Sequence, residues 1–149
     1  MQTRRQTLKQ SAAAAALVAG ASLLPQHAFA FNKAAFEAKG IHDALKGLGV
    51  NGDPVASSDV TLTAPDIAEN GAVVPFALST KLPDVKELVL LVEKNPNALV
   101  SVFQVTPEVE PNFATRSKMG ETSDVYAVAI TKDGKALFAK KQVMVTLGG

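Results

Sequence analysis

Glu108 and Glu110 are the two carboxylates whose spacing comes nearest to that of a general acid and its base. They flank Val109 in a loop bounded by Pro107 and Pro111. General acid–base catalysis needs a titratable group held within hydrogen-bond reach of the reacting proton. A proline-bounded loop without a neighbouring histidine is more typical of a solvated turn, so we expect both carboxylates to lie in solvent.

Metal binding and nucleophilic catalysis have fewer candidates still. The 149-residue sequence contains no cysteine and two histidines, His27 and His42. His42 lies in a predicted helix without a second histidine nearby, whereas zinc sites need three or four protein ligands. The motifs of serine hydrolases, phosphate-binding loops and dinucleotide-binding folds are absent from the sequence. We interpret His42 as a surface or capping residue, and we predict no metal, no cofactor and no catalytic residue.

Two cations and the one tyrosine remain as candidate binding residues. Arg116 and Lys118 alternate within the segment Thr115–Met119, which places both on one face of a predicted strand. A solvated sheet face is the simpler interpretation, and a contact with an acidic partner is the alternative. Tyr126 lies in another predicted strand, where we expect it in the core or at an interface. Because these side chains offer no recognisable catalytic site, we interpret the chain as a binding or carrying protein.

The sequence ends with a strand followed by two glycines. Val143, Val145 and Leu147 alternate with other side chains in QVMVTLGG, a pattern typical of a half-buried strand. Gly148 and Gly149 follow directly. Because glycine gives the backbone its greatest freedom and adds no side chain, we predict that these two residues form the root of a mobile element.

The elements that must position these residues are mostly strands. One helix is predicted between Phe31 and Gly49, where apolar residues recur at helical spacing. Period-two alternation then predicts seven strands, beginning near Val60, Val74, Leu88, Leu99, Ala114, Ser123 and Lys135. Seven short strands separated by turn residues predict an all-β fold, a β-sandwich with one N-terminal helix.

Three local signals refine this arrangement. The continuous apolar run Leu88–Val92 predicts a strand covered on both faces. Asp133 and Gly134 predict a tight hairpin between the last two strands. Pro75 lies inside a predicted strand, and proline cannot donate a backbone hydrogen bond, so we expect that strand to be an edge strand or to carry a bulge.

The first residues of the chain resemble an export signal. A basic start with Arg4, Arg5 and Lys9 precedes a mostly apolar stretch over residues 12–24. This stretch is shorter than the roughly 20 residues that a membrane-spanning helix needs. The segment TRRQTLK resembles the twin-arginine export pattern, with Thr7 where phenylalanine is commoner. We therefore predict export to the periplasm, by the twin-arginine route, and no membrane span.

Ala28 and Ala30 form a small-x-small cleavage site, which predicts a signal peptide over residues 1–30 and a mature domain that begins at Phe31 and covers residues 31–149. The full sequence has 15 basic and 14 acidic residues, but removal of three cations with the signal leaves 12 basic residues and a formal net charge of −2. Neither nucleic acid nor an anionic membrane is expected as a partner of the mature domain.

The segment LTAPDIAENGAVV, residues 62–74, resembles the strand–turn–strand signature of the SoxY family, the sulfur carriers of the periplasmic thiosulfate-oxidation (Sox) system. Four further segments resemble the family in the same order, and they are Asn95–Asn97, Thr115–Met119, Thr122–Ser123 and Val145–Gly149. The resemblance covers essentially all of residues 31–149, and a twin-arginine signal is usual in the family.

This resemblance implies a fold, partners and a site. The fold would be an immunoglobulin-like β-sandwich, and the stable partner a SoxZ-like subunit, exported together with the folded carrier as a heterodimer. Transient contacts would be made with SoxAX-type, SoxB-type and SoxCD-type enzymes, so that the chain itself is not an enzyme. Family members end in Gly-Gly-Cys-Gly-Gly, an arm whose cysteine holds sulfur covalently. Gly148 and Gly149 match the first two residues of that arm.

The sequence departs from the family at the cysteine, because it stops at Gly149. Two interpretations remain open, and we favour the first. The sequence lacks the last three residues of a sulfur carrier, or the chain is a cysteine-less interaction subunit that pairs with a SoxZ-like protein and carries no sulfur. A hydrolase with an unrecognised site is a weaker, third possibility. The residue encoded after Gly149 distinguishes the first two.

Overall fold

The structure, a computed structural model, describes residues 32–149. Two short helices come first, α1 (Lys33–Glu37) and α2 (Ile41–Gly47). The prediction of one continuous helix is wrong, because the backbone is extended at Ala38 (ψ 133°) and at Gly40 (ψ 155°) between them. In this part of the chain neither helix is long and apolar enough to cross a membrane.

Strands make up most of the rest of residues 32–149. They are β1 (Val55–Ala56), β2 (Val60–Thr63), β3 (Ile67–Ala68), β4 (Val74–Thr80), β5 (Val85–Val92), β6 (Leu99–Gln104), β7 (Asn112–Ser117), β8 (Ser123–Thr131) and β9 (Ala136–Val145). All seven predicted strands are present. β1 and β3 were not predicted, because two residues are too few to show a period of two.

The strands form two sheets packed face to face. The larger sheet has the order β1-β9-β8-β5-β6, with β3 pairing with the second half of β9, and the smaller sheet has the order β2-β4-β7. β8 and β9 form the predicted hairpin, in which Gly134 takes a positive φ of 85°. The predicted all-β, immunoglobulin-like sandwich is therefore confirmed.

Strand β5 separates two hydrophobic clusters, as the run Leu88–Val92 predicted. Leu88, Leu90 and Val92 face the smaller sheet and form the centre of the sandwich. Val89 and Leu91 face the other way and pack beneath the helices. All five side chains have no exposed surface. The helices thus cover one face of the larger sheet, and the smaller sheet covers the other.

Pro75 lies in a strand, as predicted, but not in an edge strand. β4 is the central strand of its sheet, and its pairing with β7 runs without a register shift, so the prediction of an edge strand or a bulge is wrong. The proline is tolerated because β2 ends at Thr63, opposite Ala77. At Pro75, strand β4 therefore has a neighbour on one side only, and no ladder hydrogen bond is lost on the other side.

Candidate functional site

The last residues of the chain lie in a backbone junction at one end of the sandwich. The Gly71 N–H donates to the Leu147 carbonyl at 2.8 Å, the Met119 N–H donates to the Gly71 carbonyl at 2.7 Å, and the Gly149 N–H donates to the Met119 carbonyl at 3.1 Å. Three segments that are distant in sequence are thereby joined. We call Gly71, Met119, Gly120 and residues 147–149 the terminal junction.

Glycine is required at three positions of the terminal junction by close packing. A Cβ atom on Gly71 would overlap the Met119 carbonyl oxygen. A Cβ on Gly148 would lie 2.5 Å from the Gly120 oxygen, and one on Gly149 would lie 2.6 Å from the Gly71 oxygen. Real Cβ atoms essentially never approach another heavy atom within 3.0 Å. Close packing is thus a second reason for glycine at positions 148 and 149, besides the predicted mobility.

Two polar side chains hold the loop that carries Met119 and Gly120. The Asn95 side-chain amide donates to the Lys118 carbonyl at 2.7 Å, and its oxygen accepts from the Gly120 N–H at 3.4 Å. The Thr122 hydroxyl accepts from the Val145 N–H at 2.9 Å, which fixes the end of β9 to the same loop. The loop and the chain end are therefore bound to each other through side chains as well as backbone.

The five segments quoted for the SoxY resemblance meet at this junction. They contribute Gly71, Met119 and residues 147–149 to it, together with Asn95 and Thr122, which bind its loop and the end of β9. Of these residues, only Gly148 and Gly149 were predicted as site residues from the sequence. Gly, Asn and Thr are common in turns, so their residue types alone do not mark them as site residues. What could have identified them is that they all lie in the segments that resemble the SoxY family.

Lys118 directly precedes Met119 of the terminal junction, Arg116 lies two residues before Lys118 in β7, and both cations are exposed. Neither takes part in the ion pairs formed within residues 32–149. The structure thus confirms that the two cations lie in solvent. Arg116 pairs with Pro75 across β7 and β4, next to the point where β2 has ended. The segment Thr63–Pro65 and the two strands border an open groove of about 810 Å³ there.

Tyr126 is half-buried and packs against the helix-side cluster, in agreement with its predicted placement. Its ring lies 5.6 Å from that of Phe138, and the Lys140 ammonium lies 5.8 Å from its centroid. Lys140 also forms an ion pair of 3.1 Å with Asp124, and that hydrogen bond raises the pKa of the lysine. Burial is the main cause that raises the pKa of the Tyr126 phenol above its usual value, and the Glu93 charge adds to it.

The raised pKa of Tyr126 predicts a loss of stability at alkaline pH. A group whose pKa is higher in the folded state stabilises the fold below its unfolded pKa, about 10, and that contribution is lost as the pH rises through the folded value. Since Tyr126 is the one tyrosine in the sequence, an absorbance titration of the native protein should give a single phenol midpoint above that of the urea-unfolded chain. In the variant Tyr126→Phe, the free energy of unfolding should decline less steeply above pH 10 than in the wild type. Equal phenol midpoints in the native and the urea-unfolded protein would contradict the raised pKa of Tyr126.

The remaining candidate residues lie apart from the junction. His42 is exposed on α2, and its Nδ1 atom lies 3.9 Å from Asp53 Oδ1. Glu108 and Glu110 are exposed in a turn, as predicted. Within residues 32–149, no group of three or more His, Cys, Asp or Glu side chains could hold a metal ion.

The predicted export-signal residues Arg4 and Arg5, and the predicted cleavage residues Ala28, Ala30 and Phe31, lie outside the described residues. Their roles stay predictions.

The fold and the junction together define an immunoglobulin-like sandwich whose distinctive feature is the packed end of its chain. The chain belongs to the SoxY family, because the family model for "Sulfur oxidation protein SoxY" matches residues 47–149. The sulfur carrier protein SoxY from Chlorobium limicola f thiosulfatophilum has a similar structure, with 32% identity and a TM-score of 0.57 over 63% of this chain and 86% of that one. This membership supports a carrier role in sulfur oxidation.

More distant structures share the fold alone. A superoxide reductase (neelaredoxin) variant from Ignicoccus hospitalis is similar over 69% of this chain and 86% of its own, with 14% identity and a TM-score of 0.51. At this identity the likeness carries no functional information. No protein of curated function matches the chain significantly.

Proposed function

We propose that the chain is the sulfur-carrier subunit of a thiosulfate-oxidising system, and that sulfur is held on the cysteine of a Gly-Gly-Cys-Gly-Gly arm rooted at Gly148 and Gly149. The observation that carries this proposal is the terminal junction. It holds residues 147–149 at one place on the sandwich, in a family of sulfur carriers. A residue attached after Gly149 starts at the surface, since residues 146–149 are exposed.

The carrier chemistry needs a thiol on the arm. A cysteine thiolate and thiosulfate together lose two electrons when a new sulfur–sulfur bond joins them, and a haem-containing thiol-ligating enzyme of the SoxAX type would accept those electrons. Hydrolysis by a SoxB-type enzyme then consumes one water, releases sulfate and two protons, and leaves a persulfide on the arm. A SoxCD-type sulfane dehydrogenase would act on that persulfide. A thiolate suits this cycle because sulfur–sulfur bonds form and exchange through it.

The proposal includes a location and a stable partner. The Sox system is periplasmic in general, and the signal features of residues 1–30 support export by the twin-arginine route. A SoxZ-like subunit would form a one-to-one heterodimer with the folded chain and leave the cytoplasm with it. Specific complexes of this kind bury about 1,600 Å² or more.

The alternative is a cysteine-less SoxY-like subunit that pairs with a SoxZ-like protein without carrying sulfur. Its support is the sequence itself, which contains no cysteine up to Gly149. The packing of Gly148 and Gly149 against neighbouring backbone would also favour glycine in such a subunit. The presence or absence of a cysteine after Gly149 is the difference between the two functions.

Intact-mass measurement of the protein purified from the periplasm of its source organism tests this proposal at both ends of the chain. We expect a chain that begins at Phe31, continues with Cys-Gly-Gly after Gly149, and carries sulfur adducts that dithiothreitol removes. Co-purification of a SoxZ-like subunit is expected in the same preparation. A native chain that ends at Gly149 would instead establish the cysteine-less interaction subunit.

A further inference from the structure

One edge of the larger sheet is a strand without the usual protection against pairing. β6 is the last strand of its sheet, and within residues 32–149 it pairs with β5 alone. Its sequence, LVSVFQ, contains no charged residue and no proline, and from Ser101 to Gln104 its pairing with β5 has no register shift. Exposed edges are normally protected by charged side chains, proline, bulges or a very short strand.

The other free edges of the two sheets have such protection. β1 and β3 contain two residues each, and the section of β9 between them carries Lys140 and Lys141. β2 contains four residues, and β7 carries Arg116. Within the part of the chain that the structure describes, β6 is therefore the edge that is best suited to accept another strand.

The backbone of β6 presents hydrogen-bonding groups on its free side. The Val105 N–H donates to the Lys86 carbonyl at 2.9 Å. Because successive residues of a strand direct these groups to opposite sides, Phe103 also faces β5, whereas the N–H and C=O groups of Val102 and Gln104 point away from the sheet. The chain covers this edge only before the strand begins, where the Ala98 N–H donates to the Ala38 carbonyl at 3.1 Å.

Apolar side chains are half-buried along the same edge. Phe103 packs against the centre of the sandwich, and its ring stacks on that of Phe113 with 4.6 Å between centroids. Val102 packs against the helix-side cluster on the other face. A strand added beside β6 would therefore extend the sheet on both faces and bury more of Val102 and Phe103, besides pairing their neighbours' backbone groups.

We propose that this strand is β6 of a second copy of the chain, in an antiparallel pair about a two-fold axis at Phe103. Val102 then lies opposite Gln104 of the second copy, so that the outward N–H and C=O groups of both residues find partners. The segment that faces itself in this register, residues 99–107 (LVSVFQVTP), contains no charged residue. Like charges, which destabilise a strand pair when they lie opposite each other, are thus absent from the contact.

The antiparallel pairing leaves both chain ends accessible. Asn95, which binds the loop of the terminal junction, comes four residues before the start of β6, so the junction lies at the end of the sandwich where β6 begins. Two antiparallel copies therefore place their terminal junctions at opposite ends of the joined sheet. The pairing goes beyond the proposed function and does not depend on it. A single pair of strands is a small contact, so we expect a reversible dimer whose share rises with concentration.

A single introduced cysteine tests the two-fold axis, because the sequence contains no other cysteine. At the axis, two Phe103 Cα atoms would lie about 4.5 Å apart, a separation that a disulfide can bridge. Phe103→Cys in the 149-residue chain should therefore form a disulfide-linked dimer on mild oxidation, both alone and with the SoxZ-like subunit bound. Phe113→Cys is the matched control, since it removes the other ring of the same stack from β7 and should remain unlinked.

Proline substitutions test the backbone pairing. Gln104→Pro removes an outward N–H without removing a hydrogen bond to β5, and it should raise the dissociation constant of the dimer about 10-fold or more in analytical ultracentrifugation. Ala114→Pro is the control on the other edge strand. The Thr80 N–H donates to the Pro111 carbonyl, so the Ala114 N–H also points away from its sheet. This variant should associate like the wild type, and circular dichroism should show both variants folded.

Three results would overturn the β6 dimer. One is a chain that stays monomeric at all concentrations and gives no linked dimer in Phe103→Cys. Another is equal linking of Phe103→Cys and Phe113→Cys, which would indicate random collision. The third is loss of the Phe103→Cys link when the SoxZ-like subunit is added, which would show that the stable partner covers β6. None of these measurements involves sulfur transfer, so failure of the dimer is distinguishable from failure of the carrier function.

Discussion

Replacing Gly71 with alanine is expected to lower the free energy of unfolding by about 2–3 kcal/mol, as for overpacking of a well-packed site. The new methyl group would overlap the Met119 carbonyl oxygen and lie 2.8 Å from Val145 Cγ1 and 2.9 Å from the Gly149 nitrogen. The first and third of these atoms belong to the backbone and cannot rotate away. The hydrogen bonds that Gly71 exchanges with Met119 and Leu147 would therefore lengthen or break.

Gly120→Ala is the matched control for this variant. Gly120 belongs to the same junction, but a Cβ atom there has no neighbour within 4 Å. Urea unfolding should place the control close to the wild type, and hydrogen exchange should show faster exchange of the Met119 and Gly149 amides in Gly71→Ala alone. If the two alanine variants were equally stable, with unchanged exchange at both amides, the terminal junction would not be packed as described.

The junction also bears on how far a carrier arm could reach. With Gly149 held by Met119, a cysteine at the next position lies about 3.8 Å from the Gly149 Cα, the spacing of consecutive Cα atoms. If the hydrogen bonds of Gly149 and Leu147 both open, three residues extend from Leu147 and the reach grows to roughly 10 Å. Opening of the junction would thus move the attachment point of the arm from Gly149 back to Leu147.

The strands of this fold could be predicted from the sequence because each one carries its own pattern. The strand that begins at Val74 shows this most clearly, since its alternate residues Val74, Phe76, Leu78 and Thr80 are buried. The hairpin at Gly134 was predicted for a local reason as well, since a two-residue turn needs a positive φ. Local patterns fix local structure, so these expectations did not depend on the rest of the chain.

The wrong or missing predictions concern features that depend on contacts between segments distant in sequence. The place of β4 in its sheet depends on where β2 ends, and Pro75 alone cannot reveal that. The terminal junction joins Gly71, Met119 and Gly149, whose positions along the chain show no periodic relation. Mobility was therefore the only explanation that the sequence offered for the last glycines, although the structure supplies close packing as another.

Extension of the chain is the second change with a large expected effect. A chain that continues with Cys-Gly-Gly after Gly149 should accept sulfur, whereas the 149-residue chain should accept none. Both forms should fold alike, because β9 ends at Val145 and the added residues lie outside both hydrophobic clusters. A Ser-Gly-Gly extension is the control, since it keeps the length and the glycines and removes only the thiol.

Intact mass spectrometry of these three forms tests the sulfur-carrier function most directly. Each form is incubated with its SoxZ-like subunit, thiosulfate, a SoxAX-type enzyme and an electron acceptor. Its intact mass is then measured before and after treatment with dithiothreitol. We expect a mass increase that dithiothreitol reverses in the Cys-Gly-Gly form, and unchanged masses in the Ser-Gly-Gly form and the 149-residue chain. A reversible increase in either cysteine-less form, or none in the Cys-Gly-Gly form when a known SoxY protein is loaded under the same conditions, would contradict the proposed function.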